Sequence, residues 1–179
     1  MELQVLTPAA GAAAFVVRPA QAADHAALVD VWRRSVEASH DFLPPDAVEE
    51  IEAEVRRALP AVAELWLAEA GGVAAAFLGC TGNHVDMLFV APEFFRRGLG
   101  TALLAHARRR HGALAVEVNE ANAGACAFYR ARGFMQTGRS PVDSEGRPYP
   151  LLLLRQPEPA AAAGAAEHTR ARTGSAYDE

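Results

Sequence analysis

Residues 94–107 read FFRRGLGTALLAHA, with two glycines two positions apart where arginine gives way to leucine and alanine at helical spacing. The first N–H groups of a helix have no intrahelical acceptor, and the aligned peptide dipoles leave partial positive charge beside them. Gly98 and Gly100 can take dihedrals closed to other residues and carry no Cβ to keep an anion away. The turn around Gly98 and Gly100 therefore reads as a loop that wraps a phosphate or pyrophosphate. For an isolated Gly-x-Gly, a plain tight turn with solvated arginines is the commoner explanation. A nucleoside-triphosphate loop requires Gly-Lys-Ser/Thr, which is missing, and a dinucleotide fingerprint requires a third glycine where Leu103 stands.

Three other side chains could move protons. Strand alternation in residues 114–119 turns Val116 and Val118 one way and Ala115, Glu117 and Asn119 the other. If helices cover both faces of the sheet, Glu117 is a buried carboxylate whose raised pKa suits a base. An ion pair with an arginine at a wet sheet opening accounts for Glu117 too. His84 and Asp86 share one face of HVDMLFV, and an imidazole titrates near neutrality, so His84 is an equal candidate. His84 as a turn cap is the plainer reading, and a His-x-Asp pair is too small for a metal site. Tyr129 stands on a helix behind Asn122, a cap residue; its phenol could donate a proton, or could pack with Phe128 as a core aromatic.

These groups meet only if the chain folds to bring them together. FVVRP at 15–19 is a short strand. Leu28, Val31 and Trp32 recur at helical spacing behind Asp24, and Val48, Ile51, Val55 and Leu59 do so after Pro45. ELWLAEA, VAAAFLGC and HVDMLFV, separated by turns at Gly71-Gly72 and Thr81-Gly82-Asn83, form an antiparallel meander. A helix at 100–110, a strand at 114–118, a helix at 123–132 stopped by Gly133, and two strands around a Pro/Asp/Gly-rich turn complete the order βαα-βββ-αβα-ββ. This predicts one α/β (α+β mixed) domain over residues 14–156, with a central mixed sheet flanked by helices. Segments 1–13 and 157–179, rich in small residues and proline, read as disordered tails.

Composition removes several classes of function. At 179 residues with 51% apolar content the chain has length for one domain with a sizeable core. No apolar run reaches the ~18 to 20 residues of a membrane span, and the Ala-rich start lacks the basic residues of a secretory signal, so a cytoplasmic protein is expected. Cys80 and Cys126 lack metal-type spacing and read as small core residues. A net charge of -5 lacks the broad positive field of a nucleic-acid binder. Five arginines between 96 and 110 suit a small anion better. All 17 basic residues are arginine, so an enzyme acting on amines could modify no lysine of its own.

LFVAPEFFRRGLGTALL, followed by VEVNEANAGACAFYRARGF, resembles the acetyl-CoA-binding core of the GNAT superfamily of acyl-CoA-dependent N-acyltransferases. The wider pattern of VWRRSVEASHDFL, HVDMLFV and GRSPVDSEGRPYPLL is similar to the YjaB-like bacterial branch of that superfamily, over roughly residues 15–155. The resemblance implies a mostly antiparallel sheet splayed between the strand ending at Val90 and the strand at 114–119, with the pantetheine of acetyl-CoA in the gap. It implies that the backbone of Leu88, Phe89 and Val90 pairs with pantetheine and polarises the thioester carbonyl, that Arg96, Arg97, Gly98, Leu99, Gly100 and Thr101 take the pyrophosphate, and that Asn122 touches the cofactor. Phe95 departs from the family's Gln or Arg, which implies a lost phosphate contact and a lower affinity, with Arg96 or Arg97 available as a substitute.

The implied chemistry is transfer of an acetyl group to a primary amine by direct attack in one ternary complex, without a metal or a cysteine nucleophile. Tyr129 would protonate the leaving sulfur, and Glu117 or His84 would deprotonate the amine. The acceptor pocket, for a small-molecule or peptide amine, would lie between residues 35–43 and 140–150, shaped by Trp32, His40, Asp41, Phe42 and Tyr149. Neither nucleic acid nor membrane is expected as a partner, and a homodimer is left open. The rival readings are a sensor that binds acyl-CoA without catalysis, and an acetyltransferase acting on protein N-termini or aminoacyl-tRNA, the acidic net charge speaking against tRNA.

Overall fold

The structure, a computed structural model, describes residues 4–6 and 14–158. Strands β1 (Gln4–Leu6) and β2 (Phe15–Pro19) precede helices α1 (His25–Ser39) and α2 (Pro45–Ala58). The meander β3 (Glu64–Ala70), β4 (Val73–Thr81) and β5 (His84–Val90) comes next. Then follow α3 (Leu99–His111), β6 (Ala115–Asn119), α4 (Ala123–Arg130), β7 (Met135–Ser140) and β8 (Leu151–Arg155). From β2 onward this is the order read from the sequence. Strand β1 falls inside the segment read as a tail at 1–13; the rest of that segment, and residues 159–179 of the second tail, lie outside the described residues.

Eight strands form one sheet in the order β1-β2-β3-β4-β5-β6-β8-β7, antiparallel at every pairing except β5 with β6. Positive-φ glycines close the tight turns, Gly71 (62°) and Gly72 (79°) joining β3 to β4. Strand β4 is buried from Ala75 to Cys80, a continuous apolar run, because helices lie on both sides of it. On one face Phe77 packs with Leu28 and Trp32 of α1 and Val48 and Val55 of α2. On the other, Ala76, Leu78 and Cys80 pack with Leu99, Leu103 and Ala107 of α3 and with Cys126 and Tyr129 of α4.

The parallel pairing is the feature that makes a site. β5 and β6 share only two registered pairs, His84 with Ala115 and Val85 with Val116. Beyond them β5 stays with β4, Leu78 opposite Leu88 and Ala76 opposite Val90, while β6 stays with β8, Glu117 opposite Leu153 and Asn119 opposite Leu151. Each strand keeps its antiparallel partner and the two diverge, opening the centre of the sheet.

Candidate active site

The opening holds a cleft of about 640 Å³. Strand β5 forms one wall, β6 the other, the α3 loop closes one end, and α4 with the end of α1 closes the other. The Ala91 amide donates to Ala75 O at 2.8 Å, so the next residue in the same phase, Phe89, also directs its peptide groups to β4. Leu88 and Val90 are out of phase and turn theirs to the open side. Of the expected main-chain contacts at Leu88, Phe89 and Val90, the ladder leaves the first and last facing the cleft.

The two glycines of the loop serve different ends. Gly98 is the α3 N-cap at φ 86°, a left-handed conformation that any side chain would strain. The first helical bond, Ala102 N–H to Gly98 O at 2.9 Å, leaves the amides of residues 98–101 without intrahelical acceptors. Gly100 does not have a positive φ; a Cβ there would stand 3.1 Å from Phe128 Cζ and 3.7 Å from Val90 Cγ2. The expectation that Gly100 frees the loop dihedrals is corrected: it lets α3 meet the Phe128 ring. The second left-handed residue is Arg96, at φ 61°, whose position the sequence pattern did not mark. Phe95, Arg96, Gly98, Leu99, Gly100 and Thr101 line the cleft; Arg97 instead lays its guanidinium 5.3 Å from the Phe94 ring centroid.

Tyr129 lines the cleft and is 6% exposed, edge-on to Phe128 and to Phe134 with both ring centroids 5.2 Å away. It is therefore core aromatic and cleft wall together. Burial pushes its phenol pKa above the ordinary tyrosine value, so it stays protonated and able to donate near neutrality. Glu117 also lines the cleft, but it is exposed where burial was expected, because the divergence of β5 from β6 leaves its face uncovered. His84 is not among the lining residues; its Nδ1 lies 2.9 Å from Asp86 Oδ1, and Asp86 Oδ2 accepts from Thr81 Oγ1 at 2.7 Å. Asn122 caps α4, Oδ1 accepting from the Ala125 amide at 2.9 Å, and its Nδ2 meets His40 Nε2 at 3.3 Å. Around the segments expected to form the acceptor pocket, Arg147 ties the β7–β8 loop to α2, its Nη1 and Nη2 each 3.0 Å from the Glu54 carboxylate, and Phe42 stands 6.4 Å from the Tyr149 ring; of the five residues expected to shape that pocket, His40 lines the cleft.

Arg132 went unremarked in the sequence, yet it lines the cleft beside the loop. Its guanidinium lies 3.5 Å from the Phe128 centroid, Nη1 donates to Phe128 O at 2.7 Å, and Nε donates to Thr101 Oγ1 at 3.0 Å. The cation is thus joined to Thr101 and adds positive charge beside the loop, where Arg96 also lines the cleft. Its spacing from the loop, 31 residues, offered no local signal. Ser35 and Ser39, also lining residues, fall in the segment 35–43 that the sequence assigns to the acceptor pocket, without being singled out there.

The family model for the acetyltransferase (GNAT) domain matches residues 61–136. The chain is 44% identical over 131 residues to the peptidyl-lysine N-acetyltransferase YjaB of Salmonella typhimurium strain LT2, covering 73% of this chain and 90% of that protein. Its fold matches the solution structure of apo-form YjaB from Escherichia coli with a TM-score of 0.74 at 40% identity, over 79% of this chain and 96% of the other. It also matches the PaiA N-acetyltransferase of Thermoplasma acidophilum, a complex with coenzyme A, with a TM-score of 0.61 at 17% identity, over 79% of this chain and 98% of that one.

Proposed function

The chain belongs to the GNAT family of acetyltransferases, and we propose that it moves the acetyl group of acetyl-CoA onto a primary amine, the side-chain amine of lysine in other proteins, by direct attack in a single ternary complex. The observation that carries this reading is the divergence of β5 from β6, which gathers open main-chain groups, a carboxylate and a protonated phenol around one cleft. The amides of residues 98–101, the left-handed Gly98 and the Arg132 guanidinium suit a pyrophosphate. Bare backbone along Leu88 and Val90 suits an extended chain of amides and offers N–H donors to an oxygen gaining charge.

In this reading the ammonium must lose a proton before its lone pair can attack the thioester carbon. Glu117 takes that role because it lines the cleft, whereas the His84 ring is tied to Asp86 and lies outside the wall. As the C–N bond forms and the C–S bond breaks, Tyr129 gives its proton to the leaving sulfur and is restored by the second proton that nitrogen sheds. The first proton leaves through Glu117 to water, so one proton is released per turnover.

The relatives named for peptidyl-lysine support a lysine acceptor. Because this chain contains no lysine, acetyl-lysine formed in a mixture must lie on another protein. The test is calorimetry with acetyl-CoA, followed by thiol release over a panel of lysine peptides, N-terminal amines and free polyamines. Turnover on lysine peptides is expected. Tight binding with no release on any amine makes the protein a sensor, and release confined to N-terminal amines replaces the acceptor. Glu117→Gln should lower kcat by about 10² while acetyl-CoA affinity is unchanged; a kcat equal to wild type removes Glu117 from the chemistry.

A further inference from the structure

His40 Nε2 and Asn122 Nδ2 belong to residues 82 apart in sequence, and their contact joins the end of α1 to the start of α4 beside the cleft. The direction of each bond follows from its neighbours. Asn122 Oδ1 is committed to the Ala125 amide, so the atom facing His40 is the Asn122 NH2, which can only donate. His40 Nε2 must therefore accept. On the other side of the ring, Ser39 Oγ spends its one proton on Ser35 O at 2.7 Å, and its oxygen is left to accept from His40 Nδ1 at 2.9 Å. The imidazole is held as the neutral Nδ1–H tautomer with both nitrogens engaged.

From this network we infer that His40 is a positioning residue, not the base of acetyl transfer: it accepts from the Asn122 amide and so sets the first turn of α4, the helix that carries Tyr129. The inference rests on the acetyltransferase reading above. Helix α4 has eight residues, about two turns, too short to hold its own geometry without its cap and its packing. Asn122 supplies the cap through Oδ1, and His40 decides where the rest of that side chain points. Protonation of Nε2 would set one donor against another and break the link. Burial moves the His40 pKa below its ordinary 6.5, against the opposing pull of Asp41 and of the Val36 carbonyl. Its hydrogen-bond and ring partners among the described residues are neutral: Asn122 from α4, Ser39 from α1, and Phe42 with its ring centroid 5.3 Å away.

Kinetics of the wild type, His40→Ala and His40→Gln across pH 5 to 8.5 separate positioning from proton transfer. A glutamine amide can accept from Asn122 and donate to Ser39 but cannot titrate. His40→Ala is expected to lower kcat by about tenfold, as for one lost hydrogen bond that positions α4, and His40→Gln to restore most of that loss while removing the part of the acid fall in rate due to this ring. A His40→Gln enzyme as impaired as His40→Ala, or a His40→Ala enzyme equal to wild type, overturns the inference. Nitrogen-15 imidazole spectra of the free protein give a readout that needs no turnover: Nδ1–H is expected, and an Nε2–H tautomer overturns it. If the wild type turns over no amine, the acetyltransferase reading fails by itself, and these spectra still decide the hydrogen-bond network.

Discussion

The two ends of the cleft are made differently. At α3 the surface is one continuous stretch of chain, residues 94–101, and its working parts are backbone amides held by the left-handed Gly98 and Arg96. At α4 the surface is assembled from Ser39, His40, Glu117, Asn122 and Tyr129, side chains from three separate parts of the chain. The first end should tolerate changes of side chain and resist changes of backbone; the second should do the reverse. Under the proposed function the end that holds a constant cofactor rests on main chain, and the end that performs chemistry places individual side-chain atoms.

Tyr129→Phe is the strongest test of the side-chain end. A general acid is worth ~10² to 10⁴ in rate, so kcat should fall by about 10² or more while acetyl-CoA affinity by calorimetry stays within about twofold. A kcat equal to wild type would break the contrast at that end.

At the main-chain end, Gly98→Ala forces a Cβ into a left-handed conformation costing roughly 1 to 2 kcal/mol, and acetyl-CoA should bind about tenfold more weakly with little change in kcat. Gly100→Ala should weaken binding for another reason, contact with Phe128, and Phe128→Leu should relieve that defect but not the one at Gly98. Equal relief of both, measured by a double-mutant cycle in calorimetry, would show that the two glycines act alike.

Arg132→Ala probes an exception, a side chain serving the main-chain end. Loss of its bonds to Thr101 should raise KM for acetyl-CoA by about fivefold and leave kcat within about twofold. A fall in kcat alone would assign Arg132 to the other end.

The smallest expected effect is on stability. Burial lowers the pKa of His40 and of His106 from the ordinary 6.5, with Arg109 and Arg110 adding to the shift at His106. Below pH 6.5 the unfolded chain therefore binds protons that the native state resists, so stability present above 6.5 is lost as pH falls toward the native values. Melting followed by circular dichroism should drop by a few degrees between pH 7 and pH 5, and His106→Gln should flatten part of that slope. An unchanged slope would remove His106 as a contributor.

The order of elements was legible because each signal is local: helical periodicity in α1 and α2, alternation and Gly turns in the meander, Asn122 before α4 and Gly133 after it. The same locality made the candidate phosphate loop visible, since its residues are neighbours in the chain. What only the tertiary structure decided is non-local. The sequence could not show that β5 and β6 part after two pairs, which leaves Glu117 exposed, or that Gly100 is small for the sake of Phe128. Nor could it bring Arg132 to Thr101 or His40 to Asn122. Those contacts depend on how helices seat on opposite faces of a sheet, and the free energy that selects them is shared across the packed core instead of being written in any short run of residues.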